Sequence, residues 1–80
     1  MMPPSQIQRE YLANARKAIR IAHDVKFNGV AYSQQTKRAE AYWTHFLKST
    51  GSTRVHESTA RLRAYLKAKD TRGALEHTAH

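Results

Sequence analysis

The chain has 80 residues, 14 Lys+Arg against 6 Asp+Glu, a formal net charge of +8 and a sequence pI of about 10.3. That length holds one domain, and 40% hydrophobic with 9% aromatic residues is too apolar for a purely disordered basic tail. Zero cysteines exclude a disulfide framework and thiolate zinc ligation, while the charge favours polyanionic partners: nucleic acid, an anionic membrane surface or an acidic protein.

Residues 1–4 read as a disordered lead, and Ser5 with Gln8 has the form of a capping box that opens a first helix. Ile7, Tyr11, Ala15, Ala18, Ala22 and Val25 then recur at helical spacing, flanked by Leu12 and Ile19, which predicts a long helix. Its three alanines leave little bulk on that face, so a neighbouring helix bearing large side chains is expected to approach closely. Asn28 as C-cap, Gly29 as a left-handed residue and Val30 folding back on Val25 would end this helix in a Schellman motif.

Residues 30–33 read as the connection, and Ser33 as the cap of a second helix running to Ser49. Its centre, AEAYWTHFL, holds the only tryptophan. Ala39, Tyr42, Trp43, Phe46 and Leu47 share one face at the helical period, which makes this the inner helix and its aromatic stripe the core. Gly51 suits a left-handed residue in the following turn, and Ser52 or Thr53 is placed to cap a third helix. That helix carries a narrow apolar stripe of Val55, Thr59, Leu62 and Leu66, with Tyr65 at its edge, and a Glu57 to Arg61 pair. Asp70-Thr71-Arg72-Gly73 reads as its end and residues 74–80 as a flexible tail. The expected fold is all-α, a small antiparallel three-helix bundle over residues 5–73. Because the third helix contributes few large residues, a homodimer is an alternative way of covering the aromatics.

Chemistry finds little footing. The carboxylates are scattered, the serines and threonines fit helix ends, and neither a nucleophile motif nor a glycine-rich phosphate loop is present. The expectation is a non-catalytic protein with no cofactor and no metal. His23, His45 and His56 read as solvated side chains on separate helices, and His77 with His80 makes at best a two-ligand site. No secretory apolar run is visible, and uninterrupted apolar runs such as Val30-Ala31-Tyr32 are far short of the roughly 20 residues of a membrane span, so a cytoplasmic location without a membrane partner is expected.

The basic residues carry the functional signal. Arg9, Arg16 and Arg20 fall on one ridge of the first helix, opposite the alanine stripe. On the third, Arg54, Arg61 and Arg72 run along one edge, and Arg63 and Lys67 along the other beside His56, while Lys37 and Lys48 are expected on a separate surface. Rows of guanidinium donors suit backbone phosphates. The sequence therefore points to a nucleic-acid-binding regulator or accessory factor, DNA ahead of RNA, with Arg54, His56, Arg61, Arg63, Lys67, Arg9, Arg16 and Arg20 as the contact set. The alternative is a small adaptor or inhibitor, of phage or mobile-element type, that docks a basic helical face on an acidic protein. A helix-turn-helix frame laid from Trp43 places Phe46 inward and Gly51 on the turn, with Thr53, Arg54, His56 and Glu57 facing the major groove, but it sets Ser52 and Glu57 where apolar side chains belong.

Overall fold

The computed structural model describes residues 4–79, with Pro4 defined by its backbone. Four helices follow one another: α1 (Pro4–Asp24), α2 (Gly29–Ser49), α3 (Val55–Lys67) and α4 (Thr71–His77), with no strand among the described residues. The fold is all-helical as expected, yet four helices are present where three were anticipated. The expected lead falls mostly outside the described residues, and Pro4 already belongs to α1.

Contacts between named residues fix the order of packing. Gln8 of α1 donates to the Ser49 carbonyl at the far end of α2, and Tyr11 stacks on His45 at 5.4 Å between ring centroids, so α1 and α2 run antiparallel. Along α3, Ser58 bonds Trp43, Arg63 pairs with Glu40, and Leu66 accepts from Tyr32, which makes α3 antiparallel to α2. Thr71 bonds His23 and Leu75 accepts from Arg16, so α4 runs antiparallel to α1 as well. The four helices thus alternate in direction, and α4 packs against both α1 and α3. The result is an elongated body of 42 × 23 × 18 Å.

The core is the interface anticipated between small and large residues. Ala15, Ala18 and Ala22 are buried on α1 beside Ile19, and Ala39, Trp43, Phe46 and Leu47 are buried on α2. Leu62 and Leu66 of α3 close one side and Ala74 of α4 the other. Trp43 is 2% exposed and its ring stacks on Phe46 at 5.2 Å, so the indole sits where all the helices converge.

The helix ends differ from those expected. Ser5 lies inside α1, and Gln8 reaches across to α2, so no capping box forms. Asn28 is the N-cap of α2, accepting from the Ala31 amide at 3.2 Å, instead of the C-cap of α1. An Asn-Gly pair serves either role, and here the side-chain oxygen satisfies an orphan amide. Gly29 consequently begins α2, Val30 is exposed, and Ser33 lies within the helix, where its carbonyl accepts from Thr36. The Schellman geometry occurs one connection later. At Gly51, with φ of 74°, the Gly51 amide bonds the Lys48 carbonyl and the Ser52 amide bonds that of Leu47, both at 3.1 Å. The same motif ends α3, but the left-handed residue there is Lys69, with φ of 58°. Neither Ser52 nor Thr53 caps α3. Arg54 holds that position without a side-chain bond, and the Ser52 hydroxyl accepts from the Arg54 amide instead.

Residues 71–77, read as the end of a third helix and the start of a tail, form α4 because polar side chains hold a segment too short to bury much apolar area. Asp70 caps it by accepting from the Gly73 amide at 2.8 Å. Thr71, Gly73, Ala74 and Thr78 are buried. Gly73 is required by contact: a Cβ there would lie 2.6 Å from the Tyr65 ring and 2.5 Å from the Asp70 carboxylate. His80 lies outside the described residues.

Candidate nucleic-acid interface

The two arginine rows expected on α1 and α3 lie on either side of α4. Arg9 and Arg20 are exposed on α1. With Leu12, Ala13, Arg16 and Ala79 they line a shallow depression of ≈ 420 Å³. Arg20 also borders a second depression of ≈ 380 Å³, where His23 and Asp24 of α1 meet Thr71, Arg72 and Leu75 of α4. The cationic strip is therefore continuous from Arg9 through Arg20 to Arg72. On the other side of α4, Arg54 and Arg61 line a depression of ≈ 250 Å³ with Glu57, Ser58 and His77. Sequence spacing alone does not join these rows; α4 does, by packing between the helices that carry them.

Arg16 has a second occupation. Its guanidinium donates to the Leu75 carbonyl at 2.7 Å and to the buried Thr78 hydroxyl at 3.1 Å. These groups belong to the C-terminal turn of α4, where unsatisfied carbonyls and the helix dipole favour a cation. Arg16 is thus a fastening between α1 and α4, and its half-buried side chain is less available to a ligand than Arg9 or Arg20.

The remaining residues of the expected set lie on the flank of α3 that faces α2. His56 and Arg63 border a depression of ≈ 230 Å³ with Lys48, Thr44 and Thr59, so Lys48 shares the surface of α3 and does not lie apart from it. Arg63 donates to Glu40 at 2.6 Å, with the Glu40 side chain only 19% exposed, which ties up much of its charge. Lys67 is exposed. Arg54 and Glu57 stand 3.9 Å apart on the open surface, and Arg72 pairs with Glu76 at 3.5 Å; exposed pairs of this kind are worth little. The anticipated Glu57 to Arg61 pair is not among the ion pairs formed by the described residues, and Glu57 turns to Arg54 instead.

The helix-turn-helix frame does not describe α3. Glu57, where that frame wants an apolar side chain, is exposed, and the helix packs through Leu62 and Leu66 with Val55 half-buried.

His23 and His45 are exposed, as expected, yet each also joins two helices, and His77, expected in a flexible tail, is half-buried between α3 and α2. His23 Nδ1 lies 2.8 Å from the Thr71 hydroxyl, His45 stacks on Tyr11, and His77 Nε2 lies 2.9 Å from the Ser58 carbonyl and 3.0 Å from its hydroxyl. The last arrangement places a serine and a histidine in contact, a pairing that spacing did not reveal. Its chemistry is constrained: a carbonyl only accepts, so His77 Nε2 carries the proton and donates it toward Ser58, leaving no basic nitrogen facing that hydroxyl. The Trp43 indole N–H donates to the same hydroxyl at 3.0 Å, and the His77 ring lies 5.7 Å from the indole. Ser58 therefore links α2, α3 and α4. No three His, Asp or Glu side chains converge among the described residues, and no helix is long and apolar enough to cross a membrane.

Tyr32 is buried on α2. Burial pushes its phenol above the ordinary value of 10.0, and its hydroxyl donates to the Leu66 carbonyl.

Comparison with protein-family models, curated proteins and solved structures returned no significant match.

Proposed function

We propose that this chain is a small, basic, non-catalytic nucleic-acid-binding module, with DNA ahead of RNA as its ligand, acting as a regulator or accessory factor. The observation that carries the reading is the placement of Arg9 and Arg20 on one side of α4 and Arg54 and Arg61 on the other, all exposed, on a chain of formal charge +8. Cationic rows separated by one short helix give a surface wide enough to follow a phosphate backbone, and nonspecific affinity grows with the number of phosphates neutralised. His56, Arg63 and Lys67 extend this surface around α3, and Arg16 supports it from beneath.

The test is a fluorescence-anisotropy titration of a labelled 20-base-pair duplex at about 50 mM salt, a condition under which phosphate contacts are strong. Saturable binding that weakens steeply as salt rises is the expected result. Absence of binding to duplex and to single strand alike would remove the reading. Persistence of one acidic protein partner through nuclease treatment would then favour an adaptor docked on the same basic face.

A further inference from the structure

The turn between α1 and α2 presents an aromatic ring to solvent. Phe27 is 96% exposed, and Val30, on the first turn of α2, is 72% exposed. Single exposed apolar side chains are ordinary, but this one has a built surrounding. The Lys69 ammonium donates to the Lys26 carbonyl at 3.0 Å, so a cation is anchored at the peptide bond that joins Lys26 to Phe27. Lys69 reaches it from a left-handed backbone conformation, φ of 58°, that ends α3 and that a glycine would adopt with less strain. Its ammonium also lies 5.4 Å from the centre of the Tyr32 ring. Lys26 is the residue before the exposed ring. The carboxylates of this end are Asp24, which borders the depression shared with Arg20 and Arg72, and Asp70, which is engaged in capping α4.

We infer that Phe27 is a base-stacking residue, flanked by the phosphate-binding cations Lys26 and Lys69, and that it directs the protein to nucleic acid carrying an unpaired base. This deepens the function proposed above and rests on it. The charge selects the occupant. A second copy carries the same net charge of +8 and would set its own Lys26 and Lys69 against these, which opposes association there. One phenyl ring and one valine offer too little apolar area for stable attachment to a membrane. A nucleobase matches a single exposed ring in size and shape, and its backbone supplies the anions that Lys26 and Lys69 require. An unpaired base is preferred to a paired one because wedging a ring into an intact duplex costs unstacking, whereas a bulged or frayed base is already free to stack.

The experiment compares two probes, a perfect 20-base-pair DNA duplex and the same duplex with one extra unpaired 2-aminopurine, against wild type, Phe27→Ala and Lys69→Gly. Wild type should prefer the bulged duplex by about 5- to 150-fold, with the 2-aminopurine fluorescence quenched on binding, since stacking on one aromatic side chain supplies that range. Phe27→Ala should bind both probes alike and leave the fluorophore unquenched. Lys69→Gly should fold at least as stably as wild type yet bind the bulged probe more weakly. Melting curves establish that each variant is folded. If wild type binds both duplexes equally, or Phe27→Ala retains the preference, the inference is overturned while the nucleic-acid reading stands. If neither probe binds, both fall. Sedimentation and binding to anionic vesicles supply the remaining outcomes: self-association or vesicle binding that depends on Phe27 would assign the ring to a second copy or to a lipid surface and overturn its role with bases.

Discussion

The α1–α2 hairpin and the α3–α4 pair are held by different means. In the hairpin, a stripe of alanines receives Trp43 and Phe46 along two 21-residue helices, and buried apolar contact does most of the holding. The second pair is shorter, 13 and 7 residues, and is fastened at discrete points: His23 to Thr71, Arg16 to Leu75 and Thr78, Ser58 to His77, and Tyr32 to Leu66. A broad apolar interface tolerates the loss of any one contact except at its centre, whereas a fastened helix depends on each bond in turn. The cationic surface takes Arg9 and Arg20 from the hairpin and Arg54 and Arg61 from α3, so its geometry depends on how the fastened half is held against the hairpin.

Trp43 is the residue on which both halves depend, and Trp43→Ala should have the largest effect. Loss of the indole opens a cavity in the hairpin core and frees Ser58 and His77, at a cost of about 3–5 kcal/mol in chemical denaturation. A loss below 1 kcal/mol would mean that the halves are held independently of it. Next comes Arg16→Ala, which should cost about 1.5–3 kcal/mol because two charge-assisted bonds to α4 disappear. Its signature is local: hydrogen exchange should quicken in residues 71–78 and stay slow at Ala18 and Trp43. Uniform loss of protection would erase the distinction between the two regions. Gly73→Ala should cost about 1–3 kcal/mol, since the added methyl collides with Tyr65 and Asp70, and it too should loosen α4 first.

These residues mark where the sequence was readable. The spacing of Ala15, Ala18 and Ala22 against Ala39, Trp43 and Phe46 announced the hairpin, because apolar periodicity survives any detail of the connection. Gly51 announced its turn because a left-handed residue there favours glycine. Asn28-Gly29 misled because asparagine caps either helix end, and Lys69 stayed hidden because lysine carries no turn signal. α4 was missed because its anchors, Thr71, Gly73, Thr78 and His77, are polar or small and show no stripe. The basic residues of α1 and α3 were visible in the sequence, but Arg72, expected in the row of Arg54 and Arg61, lies on α4 beside Arg20. The convergence of the rows on α4, and the diversion of Arg16 and Arg63 into interhelical bonds, depend on tertiary packing.

Smaller effects sharpen the comparison at the end of the molecule where the turns meet. Lys69→Gly should stabilise by up to about 1 kcal/mol, as relief of the left-handed strain outweighs an exposed hydrogen bond and a cation–π contact with Tyr32, read as a raised denaturation midpoint. Tyr32 gives a pH dependence of known sign. Its phenol titrates above its unfolded value of 10.0, so its contribution is intact below pH 10 and is lost as pH rises through the folded pKa, when the hydroxyl can no longer donate to Leu66. The stability difference between wild type and Tyr32→Phe should therefore shrink above pH 10; a difference that stays constant would remove Tyr32 from the alkaline transition.

The central claim is that the exposed arginines flanking α4 form one phosphate-binding surface, and the salt dependence of duplex binding tests it most directly. The slope of log K against log[salt] is measured for wild type, for a variant with Arg9, Arg20, Arg54 and Arg61 changed to Gln, and for a control with Lys17, Lys37 and Arg38 changed to Gln. The control residues are exposed, and Lys17 and Arg38 lie on the face between α1 and α2. Removing four phosphate contacts should shrink the slope by roughly 3 to 4 units, and the control should shift it by less than about 1. Equal loss in the two variants, or an unchanged slope in the first, would contradict the claim and leave the arginines around α4 as solvated charge.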